Sequence, residues 1–243
     1  MSARLLAFDT ATEHLSIALE VGGEVFTHEG EGGAKASGAL IPAIMALLAR
    51  AGTALQSLDA IAFGRGPGAF TGLRTACAVA QGLAFGAGKP VLPIDTLLAV
   101  AEDARRGDSR AQRIWAVMDA RMSEVYAAQY AFTGGAWAVL DAPMLTTPVA
   151  LAERWRETPP ELIAGNALGV FAGEWSTADA RLAPEALPRA RAMLPLAQTL
   201  WRAGAAVDPA LALPLYLRDK IAQTTTEREA ARAAKLAAAE ALR

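Results

Sequence analysis

Leu5-Leu6-Ala7-Phe8-Asp9 and Trp115-Ala116-Val117-Met118-Asp119 are the two stretches whose comparison decides the fold. Each is a short apolar run closed by an acid, the profile of a buried central strand. Each leads through a turn into an alternating run, Leu15–Leu19 in one case and Val125–Gln129 in the other, and both matches fall 110 residues apart. A glycine pair then opens a third strand in both halves: Gly22-Gly23 before Val25–Glu29, and Gly134-Gly135 before Trp137–Leu140. A repeated strand–acid–turn–strand–strand unit predicts two lobes of related α/β design. The competing reading is chance similarity between two apolar runs, and the shared order of three strands argues against it.

The repeat sets expected boundaries. The polar segment Arg105-Arg106-Gly107-Asp108-Ser109-Arg110 separates a lobe over 1–107 from a second over 108–225, and an alanine-rich helix is expected over 226–243. In the first lobe helices are expected at Ser37–Arg50, Thr71–Gly86 and Thr96–Arg105, with strands at Ala60–Phe63 and Val91–Ile94. The second lobe reads less regularly: a helix at Pro148–Arg156, a strand at Glu161–Ala164, a turn at Gly165–Gly169 and a helix at Met193–Gly204.

Composition excludes several functions. Of 243 residues, 53% are hydrophobic and 20% charged, with a net charge of −2. Before and after Arg110 the basic-to-acidic ratios are 9:11 and 14:14, so neither half carries the broad basic footprint of a nucleic-acid binder. Cys77 is the only cysteine, which rules out an intrachain disulfide and a cysteine-based zinc site; in its apolar helix it reads as core. His14 and His28 have neither the partners nor the spacing of a metal site or a catalytic triad. The beginning lacks the apolar core of a signal peptide and no run has the length and hydropathy of a membrane span, so the expected location is the cytoplasm.

The segment Gly64-Arg65-Gly66-Pro67-Gly68-Ala69-Phe70-Thr71-Gly72-Leu73-Arg74 joins a buried strand to a long helix. Its glycines permit close backbone approach, and Thr71 is placed to cap the helix, so free N–H groups would converge there. It lacks the lysine of a Walker loop and the ribose-binding acid of a dinucleotide fingerprint. An anion cradle and a tight turn without ligand both remain open.

Two strand-end acids with adjacent turns suit a nucleotide cleft that holds a metal ion. On that reading Asp9, Thr10, Gly66, Gly68 and Asp119 are the candidate ligand residues, with Arg121 available to a phosphate or to Asp119 itself. An aspartate that merely caps a turn is the alternative for each. Lys35 and Arg74 read as solvated charges or anion contacts. In the helix that follows the loop, Leu73, Ala76, Cys77, Ala80 and Leu83 make a broad face of small side chains; Leu40, Ile44 and neighbours line one face of the preceding helix. Such faces pack as core or across a subunit interface. As an interface, this face predicts that a charge at Ala76 or Ala80 abolishes assembly while the monomer stays folded.

Taken with the glycine segment, Leu-Ala-Phe-Asp-Thr-Ala-Thr-Glu (6–13), Met-Asp-Ala-Arg-Met-Ser-Glu-Val-Tyr (118–126) and Pro-Leu-Tyr-Leu-Arg-Asp (214–219) closely resemble the bacterial TsaB (YeaZ) family, in the family's order and over nearly the whole chain. The resemblance implies the actin-like fold shared with sugar kinases and heat-shock ATPases: a duplicated two-lobe α/β structure with mixed sheets flanked by helices. It also implies a subunit that is not itself an enzyme. TsaB proteins pair with a catalytic paralogue, TsaD, and an ATPase, TsaE, to place threonylcarbamoyl on the adenosine beside the tRNA anticodon. The expectations that follow are no catalytic or metal residues and no cofactor in this chain, and ATP or ADP only at a junction with the partner. A homodimer is expected in isolation, and tRNA is met through the complex. The chain departs from the family at Lys35-Ala36-Ser37, where members often carry a histidine, and at Ala69, where they carry serine. Two other classes stand as alternatives: a phosphotransferase of the same fold, with Gly165–Gly169 as a weak second clamp, and a glycoprotease-like metallopeptidase, which lacks metal ligands here.

Overall fold

The computed structural model describes residues 2–218 apart from Ser176 and Ala178. The helix expected over 226–243, and Asp219 of the quoted motif, lie outside the described residues. The first sheet contains β1 (Leu5–Asp9), β2 (His14–Val21), β3 (Glu24–Glu31), β4 (Ala60–Gly66) and β5 (Val91–Asp95) in the order β3-β2-β1-β4-β5. The second contains β6 (Arg113–Asp119), β7 (Val125–Thr133), β8 (Ala136–Thr146), β9 (Leu162–Ala164) and β10 (Arg181–Ala183) in the order β10-β9-β6-β7-β8. In both, an antiparallel three-strand meander continues into two parallel strands. The repeat predicted from sequence is therefore a repeat of topology, and the two mixed sheets are the halves of a duplicated actin-like fold.

The helices fall into layers because each parallel crossover must cover a sheet face. Outside the first sheet lie α1 (Ala36–Arg50) and α2 (Phe70–Ala87); outside the second lie α4 (Pro148–Glu157) and the short α5 (Ala167–Val170). Leu6, Phe8, Leu15, Ile17, Ile61 and Phe63 pack with Leu40, Ile44, Ala76 and Ala80 in the first outer layer. Trp115, Val117, Val125 and Ile163 pack with Leu151, Trp155 and Leu168 in the second.

Between the sheets lie α3 (Thr96–Gly107) and α6 (Ala190–Arg202), and each covers the sheet of the other half. Leu97, Val100 and Ala101 of α3 pack on Ile114, Ala116 and Tyr130. Met193, Leu194 and Ala197 of α6 pack on Leu5, Ala7, Ala62 and Leu92. The N-terminus of α6 is tied to the first sheet as well, where Ala190 N donates to Ser16 Oγ at 2.7 Å. A boundary near residue 107 thus divides the chain but not the packing: this exchange of helices makes each sheet's core depend on both halves.

Side-chain faces correct one detail of the repeat. Leu6 pairs with Ile61 and Trp115 pairs with Ile163, and all four belong to the outer layers. The residue matching Trp115 is thus Leu6, not Leu5, so the first-strand alignment slips by one. The second strand keeps its match, since Phe8 pairs with Ile17 and Val117 with Ala127. Because strand side chains alternate, the slip places Asp9 and Asp119 on opposite faces. The position matching Asp119 is Thr10.

Candidate functional site

A cleft of about 260 Å³ opens where the two lobes meet. Its walls are the β1–β2 turn (Ala11–Glu13), the start of α2 (Gly68–Phe70 and Leu73), the β6–β7 turn (Met118–Met122) with Tyr126 and Asn166, and the segment Leu215–Arg218.

Of the five candidate ligand residues, only Gly68 and Asp119 line this cleft. Asp9 is 1% exposed and faces inward. Its carboxylate accepts from Ala11 N at 2.7 Å and from Thr96 Oγ1 at 3.0 Å. A Cβ at Gly64 would sit 1.7 Å from its Oδ2, so this glycine makes room for the acid and not for a ligand. Burial pushes the Asp9 pKa up to about 6 against those two hydrogen bonds. Thr10 is equally enclosed and donates to Gly72 O at 2.8 Å. Gly66 donates its N–H to Thr96 Oγ1 at 3.1 Å and lies against the Leu215 carbonyl. The expected acid–hydroxyl–glycine cluster exists, but as an internal knot that ties β1 to the first residue of α3. Nothing in the sequence marks Thr96 for this part, because a threonine at a helix start reads as a local cap.

Capping at the loop also differs from expectation. The helix begins at Phe70 behind Ala69, with no side-chain cap, while Thr71 O accepts from the Thr75 hydroxyl at 3.0 Å. Ala69 N donates to Ala11 O at 2.8 Å, which joins the loop to the β1–β2 turn. The bond occupies the Ala69 N–H within the chain.

The opposite wall carries unusual backbone. Arg121, Met122 and Ser123 have φ of 62°, 56° and 58°, three successive non-glycine residues in the left-handed region. Each costs about 1–2 kcal/mol relative to an ordinary conformation. The turn is closed by Ala120 N to Glu124 O at 3.0 Å and Glu124 N to Arg121 O at 3.1 Å. Arg121 reaches Asp119 at 3.2 Å and, across the cleft mouth, Glu13 at 3.0 Å. Asp119 N donates to Asn166 Oδ1 at 3.0 Å, so the β9–α5 turn braces this wall. Of the two readings open for Arg121, the structure shows the pairing with Asp119.

The seven candidate interface residues lie elsewhere than expected. Leu40, Ile44, Leu73, Ala76, Cys77 and Ala80 are buried against the first sheet, and Leu83 packs on the same cluster half-buried. They are the core face of α1 and α2. A charge at Ala76 or Ala80 would therefore unfold the lobe before it could test an interface. The same burial pushes the Cys77 thiol up to about 11, in keeping with a core cysteine. What the two helices turn to solvent includes large apolar side chains: Ile41 and Met45 on α1, 45% and 51% exposed, and Phe85 on α2, 62% exposed, on a helix where Ala78 and Gly82 are exposed as well. Alanine and glycine on every side of α2 hid which side was which. Among the described residues no three His, Cys, Asp or Glu side chains come together as a metal site would need, and no helix is long and apolar enough to cross a membrane.

The duplicated sheets, exchanged central helices and cleft between two hairpin turns define a two-lobed protein of the actin-like class. A sequence model of the family described as TsaD, tRNA N6-adenosine threonylcarbamoyltransferase, matches residues 33–153. The tRNA threonylcarbamoyladenosine biosynthesis protein TsaB of Escherichia coli K12 is 36% identical over 223 residues, covering 90% of this chain and 96% of that protein. The protein of the same name from Haemophilus influenzae is 48% identical over 126 residues, 51% of this chain and 52% of that one. The solved structure of YeaZ from Pseudomonas aeruginosa superposes with a TM-score of 0.81 at 39% identity, over 89% of this chain and all of that one. This chain belongs to the TsaB (YeaZ) family.

Proposed function

We propose that the chain is the non-catalytic subunit of a tRNA threonylcarbamoyladenosine-forming assembly, acting by docking a catalytic TsaD-like paralogue and a TsaE-like ATPase. Family membership and the name of the Escherichia coli relative support the pathway. The observation that carries the docking role is the solvent exposure of Ile41, Met45 and Phe85 on helices whose sheet-facing sides are already buried. Large apolar side chains left outside a finished core gain on being covered. The match of residues 33–153 to the TsaD family supports a partner built on the same plan, so that α1 and α2 would meet their counterparts. The same residues would serve a homodimer when the partner is absent.

The non-catalytic reading is supported by Asp9, whose carboxylate is spent on the chain's own Ala11 and Thr96. ATP or ADP would then bind at a junction with the partner, and tRNA would be met through the complex.

Phe85→Asp tests docking. The monomer should keep its stability within about 0.5 kcal/mol, since the site is exposed. Affinity for the TsaD-like partner, measured by calorimetry, should fall at least a hundredfold, about 2.7 kcal/mol. Unchanged affinity in both Phe85→Asp and Met45→Asp would show that this side of the helices is not the docking face.

A further inference from the structure

The segment after the last described helical turn crosses the cleft mouth and touches both lobes within a few residues. Leu215 N donates to Arg65 O at 2.7 Å, beside the glycine loop of the first lobe. The Tyr216 ring stacks on Phe70 with centroids 5.2 Å apart, and its hydroxyl accepts from Arg74 Nε at 3.2 Å. Leu217 packs against the core of the second lobe. Arg218 donates to Ala120 O at 3.0 Å and pairs with Glu124 at 2.6 Å, which places its guanidinium on the left-handed turn of the second lobe. A little upstream, Gln81 Nε2 of α2 donates to Ala212 O at 3.1 Å.

We propose that Leu213–Arg218 is a strap that fastens the two lobes across the cleft and holds the strained β6–β7 turn in place, so that the cleft opens only when the strap lifts. Two observations converge on this. The strap's contacts pass from one lobe to the other within four residues, with Leu215 and Tyr216 on the first and Leu217 and Arg218 on the second. The turn it grips is the one stretch of three left-handed non-glycine residues among the described residues, a conformation that persists only where its surroundings hold it. Arg218 supplies that hold from outside the turn, since it binds the carbonyl of Ala120 and the carboxylate of Glu124 at the two ends of the loop. Glu13 and Arg121 make a second bridge over the same mouth, but both side chains are more than two thirds exposed and such pairs contribute little. The strap is the stronger of the two closures. It regulates access to the cleft irrespective of what docks on α1 and α2.

Hydrogen exchange on the full chain tests the strap. Arg218→Met keeps the stem and removes the guanidinium. Peptides that contain Ala120–Glu124 and Leu215–Leu217 should then exchange at least tenfold faster, while those of β1, β4 and α1 keep their rates. Tyr216→Ala removes a ring that is 41% exposed and should accelerate the same two peptides together, about threefold. Unchanged exchange overturns the strap. So does acceleration of the strap without the turn, which would show that the two are not one latch. If Arg218→Met exchanges globally, Tyr216→Ala decides alone by the same criteria. Failure here leaves the docking reading standing, because partner affinity in the Phe85 variant is a separate measurement.

Discussion

The β1–β2 turn and the β6–β7 turn occupy matching places in two sheets of the same topology, yet they are built on opposite principles. The first runs through Thr10–Glu13, folds over a buried carboxylate and is anchored by side chains from α3 and backbone from α2. The second, Ala120–Glu124, is one residue longer, since nine residues separate the paired Val117 and Ala127 and eight the matching Phe8 and Ile17. It closes by turning left-handed at Arg121–Ser123 and sends its acid to the opposite face. A strand reverses the direction of every side chain when its register moves by one, so one residue more or less in a turn decides whether an acid is buried or lines a cleft. Duplication preserved the strands and not the chemistry at their ends.

The comparison can be broken most sharply at Gly72. A Cβ there would meet the Thr10 carbonyl at 1.8 Å, backbone against backbone. Gly72→Ala should cost at least about 3 kcal/mol in chemical denaturation, because neither partner can move without unseating the first turn. A loss below about 1 kcal/mol would show that the turn is softer than its packing implies.

Next comes the buried acid. Its pKa stands raised from 3.8 to about 6, so between those values the native state holds more protons than the unfolded chain. Stability therefore falls as pH rises through this window, with the contribution fully present below about pH 4 and lost above about pH 6. At 1.36 kcal/mol per unit the span is about 3 kcal/mol. Asp9→Asn should flatten that part of the curve of unfolding free energy against pH. An unchanged slope would mean that Asp9 reaches solvent in solution.

The smallest effect belongs to the second turn. Ser123→Gly removes the left-handed penalty and adds backbone freedom to the unfolded chain, with a net gain of about 0.5–1 kcal/mol in thermal or chemical unfolding. Destabilisation instead would place Ser123 outside the left-handed region. The first turn has no such remedy, because among the described residues non-glycine positive φ is confined to Arg121, Met122 and Ser123.

Much of this architecture was legible in the chain. The three-strand meanders showed in alternation and in the glycine pairs, the long helices in their periodicity, and the duplication in the order of the two. Less was legible where signals are short. Arg181–Ala183 is a strand of three residues, and Ala167–Val170 is one helical turn where a glycine turn was expected. Neither is long enough to display a period. The Trp137 strand runs to Thr146, well past its expected end at Leu140, because two irregularities in its pairing with β7 interrupt the alternation.

Local chemistry alone thus determined that the chain makes two sheets with helices over them, because strand and helix periods are written in neighbouring residues. The motifs likewise determined the family. Tertiary structure decided which way each functional group points. Asp9 and Asp119 look alike in sequence, but their faces depend on which residue of a distant strand each neighbour pairs with. Alanine and glycine ring α2 too evenly for the sequence to say which side is core, and only contact with the first sheet separates Ala76 and Ala80 from Ala78 and Phe85. The crossing of Leu215–Arg218 over the cleft is visible only once both lobes are assembled, because its partners lie about 100 to 150 residues away along the chain.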